Sequence, residues 1–235
     1  MAVFGPAWDD HVARLAGNWR DAVGDDDIVL VPGDVSWAMR LSDASVDLAW
    51  LAELPGRKVL VRGNHDYWWS SLGKMRALGF PGLYFVHNNH VVLDGIAIGG
   101  SRLWDFPFVR WGAGPTVEGS PAGKGSAERA DDPEKIRAHE LERLKLSLSG
   151  LPIDARYRVC MTHYPPLGED GLPTVLTDCI GEYDIDLAVF GHIHAPSAES
   201  RPGEDCVIGK TRYVLASSDH VAHTPIMLAE FASNP

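Results

Sequence analysis

Apolar residues at Trp8, Val12, Leu15, Trp19 and Val23 recur every three to four positions, which predicts an amphipathic helix running into the acidic turn Asp25 to Asp27. Ile28 to Val31 is a short β-branched run suited to a strand buried on both faces, and it stops at Pro32-Gly33-Asp34. A second helix is expected from an N-cap at Ser42 through Val46, Leu48, Leu51 and Leu54, closed by Pro55-Gly56. The pattern then repeats. Lys58 to Val61 is a strand-like run ending in Arg62-Gly63-Asn64-His65-Asp66, followed by a helical stretch from about Ser70 to Leu78. Strand, polar turn and helix, twice over, predict a layered α/β fold.

Beyond Leu83 the period changes. Leu83 to Val86, Val91 to Leu93 and Ile96 to Ile98 are strand-length runs whose connections are too short for crossover helices, so hairpins and a mixed or antiparallel region are expected. Residues 105–132 are rich in Gly, Pro and Ser without a sustained period and read as a long surface excursion, a lid or simple slack. Ile136, Leu141, Leu144 and Leu148 define another amphipathic helix after Asp132-Pro133. Arg158 to Met161 and Leu187 to Phe190 are two more buried-type strands, and Val207-Ile208, Tyr213 to Ala216 and Ile226 to Leu228 suggest a closing antiparallel meander. With no repeat and no linker, residues 1–235 are expected to form one domain.

Composition narrows the class. The 235 residues are 45% hydrophobic and 23% charged, the balance of a folded globular protein. No apolar run approaches the ~20 residues of a membrane span, and Met1 to Pro6 lack the features of a secretory signal, so a cytoplasmic location without membrane association is expected. Cys160, Cys179 and Cys206 stand singly and read as free, buried thiols. A net charge of −11 disfavours a broad face for duplex nucleic acid, while a small anionic substrate, a nucleotide included, stays compatible if bound metal reverses the field locally.

Four strand-like runs each stop at a turn carrying metal-binding groups: Asp34; Asn64 with His65; His163; His192 with His194. In open α/β sheets ligands sit outside the carboxyl ends of the strands, so these turns should converge on one crevice. Imidazoles mixed with oxygen donors, and no thiolate, favour Mn, Fe or Zn, with Mg also allowed. His192 and His194 are two residues apart, which in an extended stretch points both rings to one side. Each element alone is weak, since a Gly-Asp turn or a lone His is usually structural; their joint order is what carries the signal.

Gly33-Asp34, Gly63-Asn64-His65-Asp66, Thr162-His163 and Gly191-His192-Ile193-His194 resemble, in order, the motifs of the calcineurin-like metallophosphoesterases. Gly33 to Met39 and Gly63 to Trp69 are similar to a bacterial branch of predicted phosphohydrolases within that family. The resemblance implies a four-layer α/β/β/α sandwich, two mixed β-sheets flanked by helices, with a metal centre holding one or two divalent ions between the loops. It implies that Asp34 bridges the ions, that Asn64, His163 and His192 complete one site, and that His194 belongs to the other. A metal-bound hydroxide would attack the phosphorus of a small phosphomonoester or phosphodiester. His65 would be the general acid for the leaving oxygen, with Asp66 orienting its ring or raising its pKa, and a structural hydrogen-bonding role is its bland alternative.

The family opens with a strand ending in Asp-x-His, and this chain has no such strand. Asp9-Asp10-His11 has the letters but falls in a helical pattern, where residues two apart point about 200° apart. Phe4 to Trp8 follows that lost motif closely in the resembling branch, so the first strand is expected to be missing, with Met1 an internal methionine and about 20 residues absent. One retained metal is then the safer expectation. A silent member serving as a protein-binding module is the rival reading, and a structural single-metal protein is a third.

The remaining histidines, His11, His87, His90, His139, His220 and His223, read as surface or loop residues, with the Asp219 to His223 region approaching the pocket. Trp37, Trp68, Trp69 and Trp104 lie near the expected rim, where core packing competes with stacking on a base or sugar. Arg102 and Arg110 are either phosphate clamps or solvated charges.

Overall fold

A computed structural model describes residues 8–104, 106, 133–168, 171–194 and 203–231 of the chain. The first helix, α1 (His11–Ala22), buries Ala16 and Trp19, and the Trp19 indole donates to the Pro55 carbonyl. There follow β1 (Ile28–Val31), α2 (Leu41–Glu53), β2 (Arg57–Val61), α3 (Leu72–Arg76) and β3 (Leu83–Val86). These three strands form one parallel sheet in the order β1-β2-β3. The remaining elements are β4 (Val91–Leu93), β5 (Ile96–Ser101), α4 (Pro133–Ser149), β6 (Tyr157–Thr162), α5 (Val175–Gly181), β7 (Leu187–Phe190), β8 (Asp205–Ile208) and β9 (Thr211–Leu215). Their strands build a six-stranded mixed sheet in the order β4-β5-β6-β7-β9-β8, antiparallel at both edges and parallel in the middle.

Strand alternation explains the layering. Val59 and Val61 of β2 pack with Val159 and Met161 of β6, Leu187 and Val189 of β7 and Val214 of β9, so a core fills the space between the two sheets. The intervening residues face the other way. Leu60 joins Leu48, Leu51, Trp19 and Met75 under the helices of the small sheet, whereas Cys160, Ala188 and Phe190 join Leu144, Leu148, Leu176 and Ile180 under α4 and α5. Helix, sheet, sheet, helix is the four-layer sandwich that the sequence motifs imply, with its smaller sheet parallel throughout the described residues.

Several local expectations differ from the structure. Leu83–Val86 and Val91–Leu93 are not a hairpin, because β3 lies parallel to β2 while β4 belongs to the other sheet. A short link serves a sheet-to-sheet crossing as well as a hairpin, and here Asn89 ties it down by accepting from the His87 N–H and donating to the Phe85 and His90 carbonyls. Ile226–Leu228 forms no strand; Leu228 packs on the inter-sheet core and its carbonyl accepts from Arg212. The second helix starts at Leu41 with Arg40 at its N-cap rather than Ser42. Helix α5 has no counterpart in the hydrophobic pattern, but its capping box, Thr174 with Thr177, is a local signal that sequence reading passed over. The 105–132 excursion, and Arg110 with it, lies outside the described residues apart from Phe106.

Candidate metal centre

The parallel strands β1 and β2 of the small sheet and β6 and β7 of the large one end on the same rim, and each delivers one loop there. Two backbone features let the loops meet. Gly33 has φ +98°, and a Cβ on it would lie 2.6 Å from the Gly63 nitrogen. A Cβ on Gly63 would lie 2.1 Å from Asp34 Oδ1, so glycine is required at both positions for the loops to touch. Asp34 (φ 59°) and His192 (φ 69°) both adopt left-handed backbone, a conformation that non-glycine residues hold only where the surroundings impose it.

Asp66 supplies much of that imposition. It is fully buried, and its carboxylate accepts from the backbone N–H groups of Asp34 (2.8 Å), Val35 (2.9 Å), Ser36 (3.2 Å) and Gly63 (2.7 Å) and from the Trp68 indole (3.0 Å). Burial pushes its carboxyl above the usual range, and these N–H donors pull it back. The expectation that Asp66 orients the His65 ring is therefore corrected: both its oxygens are taken by the loop backbones, and His65 Nδ1 meets the Tyr67 hydroxyl at 3.2 Å.

Asp34, His163 and His192 present ligand atoms that all lie within 4.8 Å of one another. Asn64 completes the group, with Oδ1 2.6 Å from His163 Nε2 and 3.0 Å from His192 Nδ1. His163 Nε2 lies 3.2 Å from His192 Nδ1 and 3.5 Å from Asp34 Oδ2. The His163 Nδ1–H donates to the Pro32 carbonyl at 2.8 Å, which leaves the Nε2 lone pair aimed into the cluster. Three acceptors, His163 Nε2, Asn64 Oδ1 and Asp34 Oδ2, thus face one point and repel in the absence of positive charge. Ligand atoms at bonds of about 2.1 Å around one cation stand roughly 3 Å apart, so the donor set fits a divalent ion.

Electrostatics agree with that fit. Burial, reinforced for His192 by its neighbour His163, pushes both imidazoles down to about 3 and so keeps them neutral, the ligating form. Burial raises the Asp34 carboxyl, against the pull of the His65 N–H that its Oδ1 accepts at 2.8 Å.

His194 stands apart from this group. Its side chain is 43% exposed, its Nδ1–H donates to Asp219 Oδ1 at 2.9 Å, and its ring meets Trp8 edge-on at 5.4 Å. Asp219, placed only loosely near the pocket by sequence, is the residue that linear spacing could not assign. His65 lies beside the cluster with its ring stacked on Trp37, centroids 4.4 Å apart and planes 18° apart. Of the four rim tryptophans, Trp68 and Trp69 are core residues, Trp104 packs under the Arg102 guanidinium, and Trp37 is 48% exposed. Arg102 is not a solvated charge, since it pairs with buried Glu140. His223, expected on the surface or in a loop, lies in a turn but is buried against Trp8, its Nδ1 2.8 Å from Ser218 Oγ. Asp9 and Asp10 precede α1, and His11 is its first residue, so the Asp9-Asp10-His11 letters carry no strand-end motif.

A family model for calcineurin-like phosphoesterases matches residues 7–196, and the chain belongs to that family. The Gene 66 protein of Mycobacterium phage L5 is 41% identical over 58 residues, 25% of this chain and 28% of the phage protein. Its counterpart in Mycobacterium phage D29 is 42% identical over 57 residues, 24% of this chain and 28% of the phage protein. The match thus spans little more than a quarter of either relative. No described helix is long and apolar enough to cross a membrane.

Proposed function

We propose that the chain is a metal-dependent phosphoester hydrolase acting on a small phosphorylated substrate, with Asp34, Asn64, His163 and His192 holding one divalent ion. Convergence of those four donors at the ends of β1, β2, β6 and β7 is the observation that carries the reading. When bound, such an ion supplies a Lewis acid for phosphoryl oxygens and a lowered pKa for water. The protein's own part is positioning. Pro32 fixes the His163 tautomer, the two glycines allow the loops to close, and Asp66 locks their backbones. His65 is assigned to proton donation at the leaving oxygen: its Nδ1 is engaged by Tyr67, its ring is held flat on Trp37, and Nε2 is the nitrogen left for the transfer. His194, braced by Asp219, flanks the centre as the donor for a second, weaker ion of the same class, with Mn, Fe or Zn suited to the nitrogen and oxygen donors.

Hydrolysis of p-nitrophenyl phosphate and bis-p-nitrophenyl phosphate with added Mn, alongside elemental analysis of the purified chain, tests this. Expected are turnover of at least one ester, its loss with chelator and in Asn64→Ala, and a fall in kcat of about 10²- to 10⁴-fold in His65→Ala. Bound metal without turnover of either ester would sink the hydrolase reading and leave a binding module built on the same fold.

A further inference from the structure

Beside the metal centre, the ends of β2, β3 and β5 and one face of α4 enclose a cleft lined by Arg62, His87, Arg102, Arg143 and Glu140. Three guanidinium groups, which stay charged at any working pH, face one carboxylate there. That carboxylate is fully used. Glu140 Oε1 accepts from Arg143 at 2.8 Å and Arg102 at 3.4 Å, while Oε2 accepts from the Trp104 N–H at 3.2 Å and Ser101 Oγ at 3.5 Å.

Arg62 is left over. Among the described residues it has no carboxylate within 4.0 Å, and its Nε, like that of Arg102, is buried without a hydrogen-bond partner. Three guanidinium groups over the one carboxylate that lines the cleft leave a local positive excess, which in a chain of net charge −11 is a specific feature of this place. Planar guanidinium forks match oxyanions bidentately, which makes a phosphate-type group the natural occupant. The position matters as much as the charge. Arg62 is two residues from Asn64, and the Arg102 carbonyl accepts from the N–H of Tyr164, the neighbour of His163.

The geometry points to a second anion subsite, formed by Arg62, Arg102 and Arg143, that binds a phosphate-class group of the substrate other than the one cleaved. This rests on the hydrolase reading for its substrate part and selects substrates with two anionic groups.

Two measurements on the full chain test it. In chelator, inorganic phosphate titrated by calorimetry and by thermal shift should bind the parent and Asn64→Ala alike and bind Arg62→Met and Arg102→Met at least tenfold more weakly, with Arg62→Lys in between. Circular dichroism identifies any variant that fails to fold. Absence of binding to the parent, or unchanged binding to a folded Arg62→Met, overturns the subsite. In the Mn-loaded chain, Arg62→Met should raise KM for a nucleoside 3′,5′-bisphosphate at least tenfold more than for p-nitrophenyl phosphate. An equal rise for both would put Arg62 on the cleaved phosphate, and no rise for either would assign the cleft to free phosphate; each overturns the substrate part. Because the calorimetric arm needs no turnover, phosphate binding through Arg62 in a chain that hydrolyses nothing would retire the hydrolase reading and keep the subsite.

Discussion

Two sides of the same rim are built by opposite means. At the four-donor cluster His163 is buried and Asp34, Asn64 and His192 are half-buried, the backbones of Asp34 and His192 are left-handed, and an interior carboxylate clamps the Asp34 and Gly63 loops from below. At the His194 flank the imidazole is 43% exposed and is braced from the side by one carboxylate and one indole edge. The first arrangement is preorganised before any ligand arrives, and its stability is tied to that geometry; the second spends little on order and tolerates change. This contrast predicts a tight site beside a weak one, and removing the support from each side should have unequal results.

The largest effect belongs to Asp66. Asp66→Ala removes the acceptor of four backbone N–H groups and one indole in a fully buried place, so a loss of about 3–5 kcal/mol is expected from the unsatisfied donors. Denaturant midpoints on the metal-free chain measure it. A loss under about 1 kcal/mol would mean that the loops hold their shape without the clamp.

This residue also marks what the chain reveals before it folds. The four candidate turns were legible because each follows a short apolar run, and strand-end placement is a property of local pattern: the structure brings Asp34, Asn64, His163 and His192 together. Asp66 was legible only as a neighbour of His65. Three of its five partners sit about 30 residues upstream, and hydrogen bonds to backbone N–H groups leave no trace in residue type. Arg102 was legible as a candidate phosphate clamp, whereas Arg62 and Asp219 were obscure for the same reason, since what they face comes from distant elements. The β3 to β4 link misled because connection length does not say which sheet the next strand joins. The four-layer order was implied by the motif resemblance, and strand alternation is its physical basis, with Val59 and Val61 facing one core and Leu60 another.

A middle-sized effect concerns pH. His163 and His192 are held down to about 3 in the folded chain against about 6.5 unfolded, so the unfolded state binds more protons between those values. The stability contributed by the neutral imidazoles is fully present above about pH 6.5 and is lost as pH falls toward 3, at up to about 1.4 kcal/mol per pH unit for each ring. Asp34 and Asp66 act in the other sense, because their raised carboxyls contribute most below their unfolded values and lose that contribution as pH rises. Urea midpoints of the metal-free chain from pH 7 to pH 4 should therefore fall, and His192→Asn should make the fall shallower. A flat profile would show that the buried rings charge without cost.

The smallest effect separates the flank from the cluster. Asp219→Ala removes the acceptor of the His194 Nδ1–H while touching none of the four converging donors. A pair of this exposure contributes no more than about 1 kcal/mol, so the melting temperature should barely move. Losing the carboxylate that orients a ligating imidazole typically weakens metal affinity by about 10- to 100-fold. Mn titration followed by calorimetry should therefore keep the first binding step within twofold and weaken the second at least tenfold. If both steps weaken together, His194 shares the first ion and the two sides of the rim are one site. If neither changes, Asp219 braces the Trp8 corner alone, and the flank holds no ion of its own.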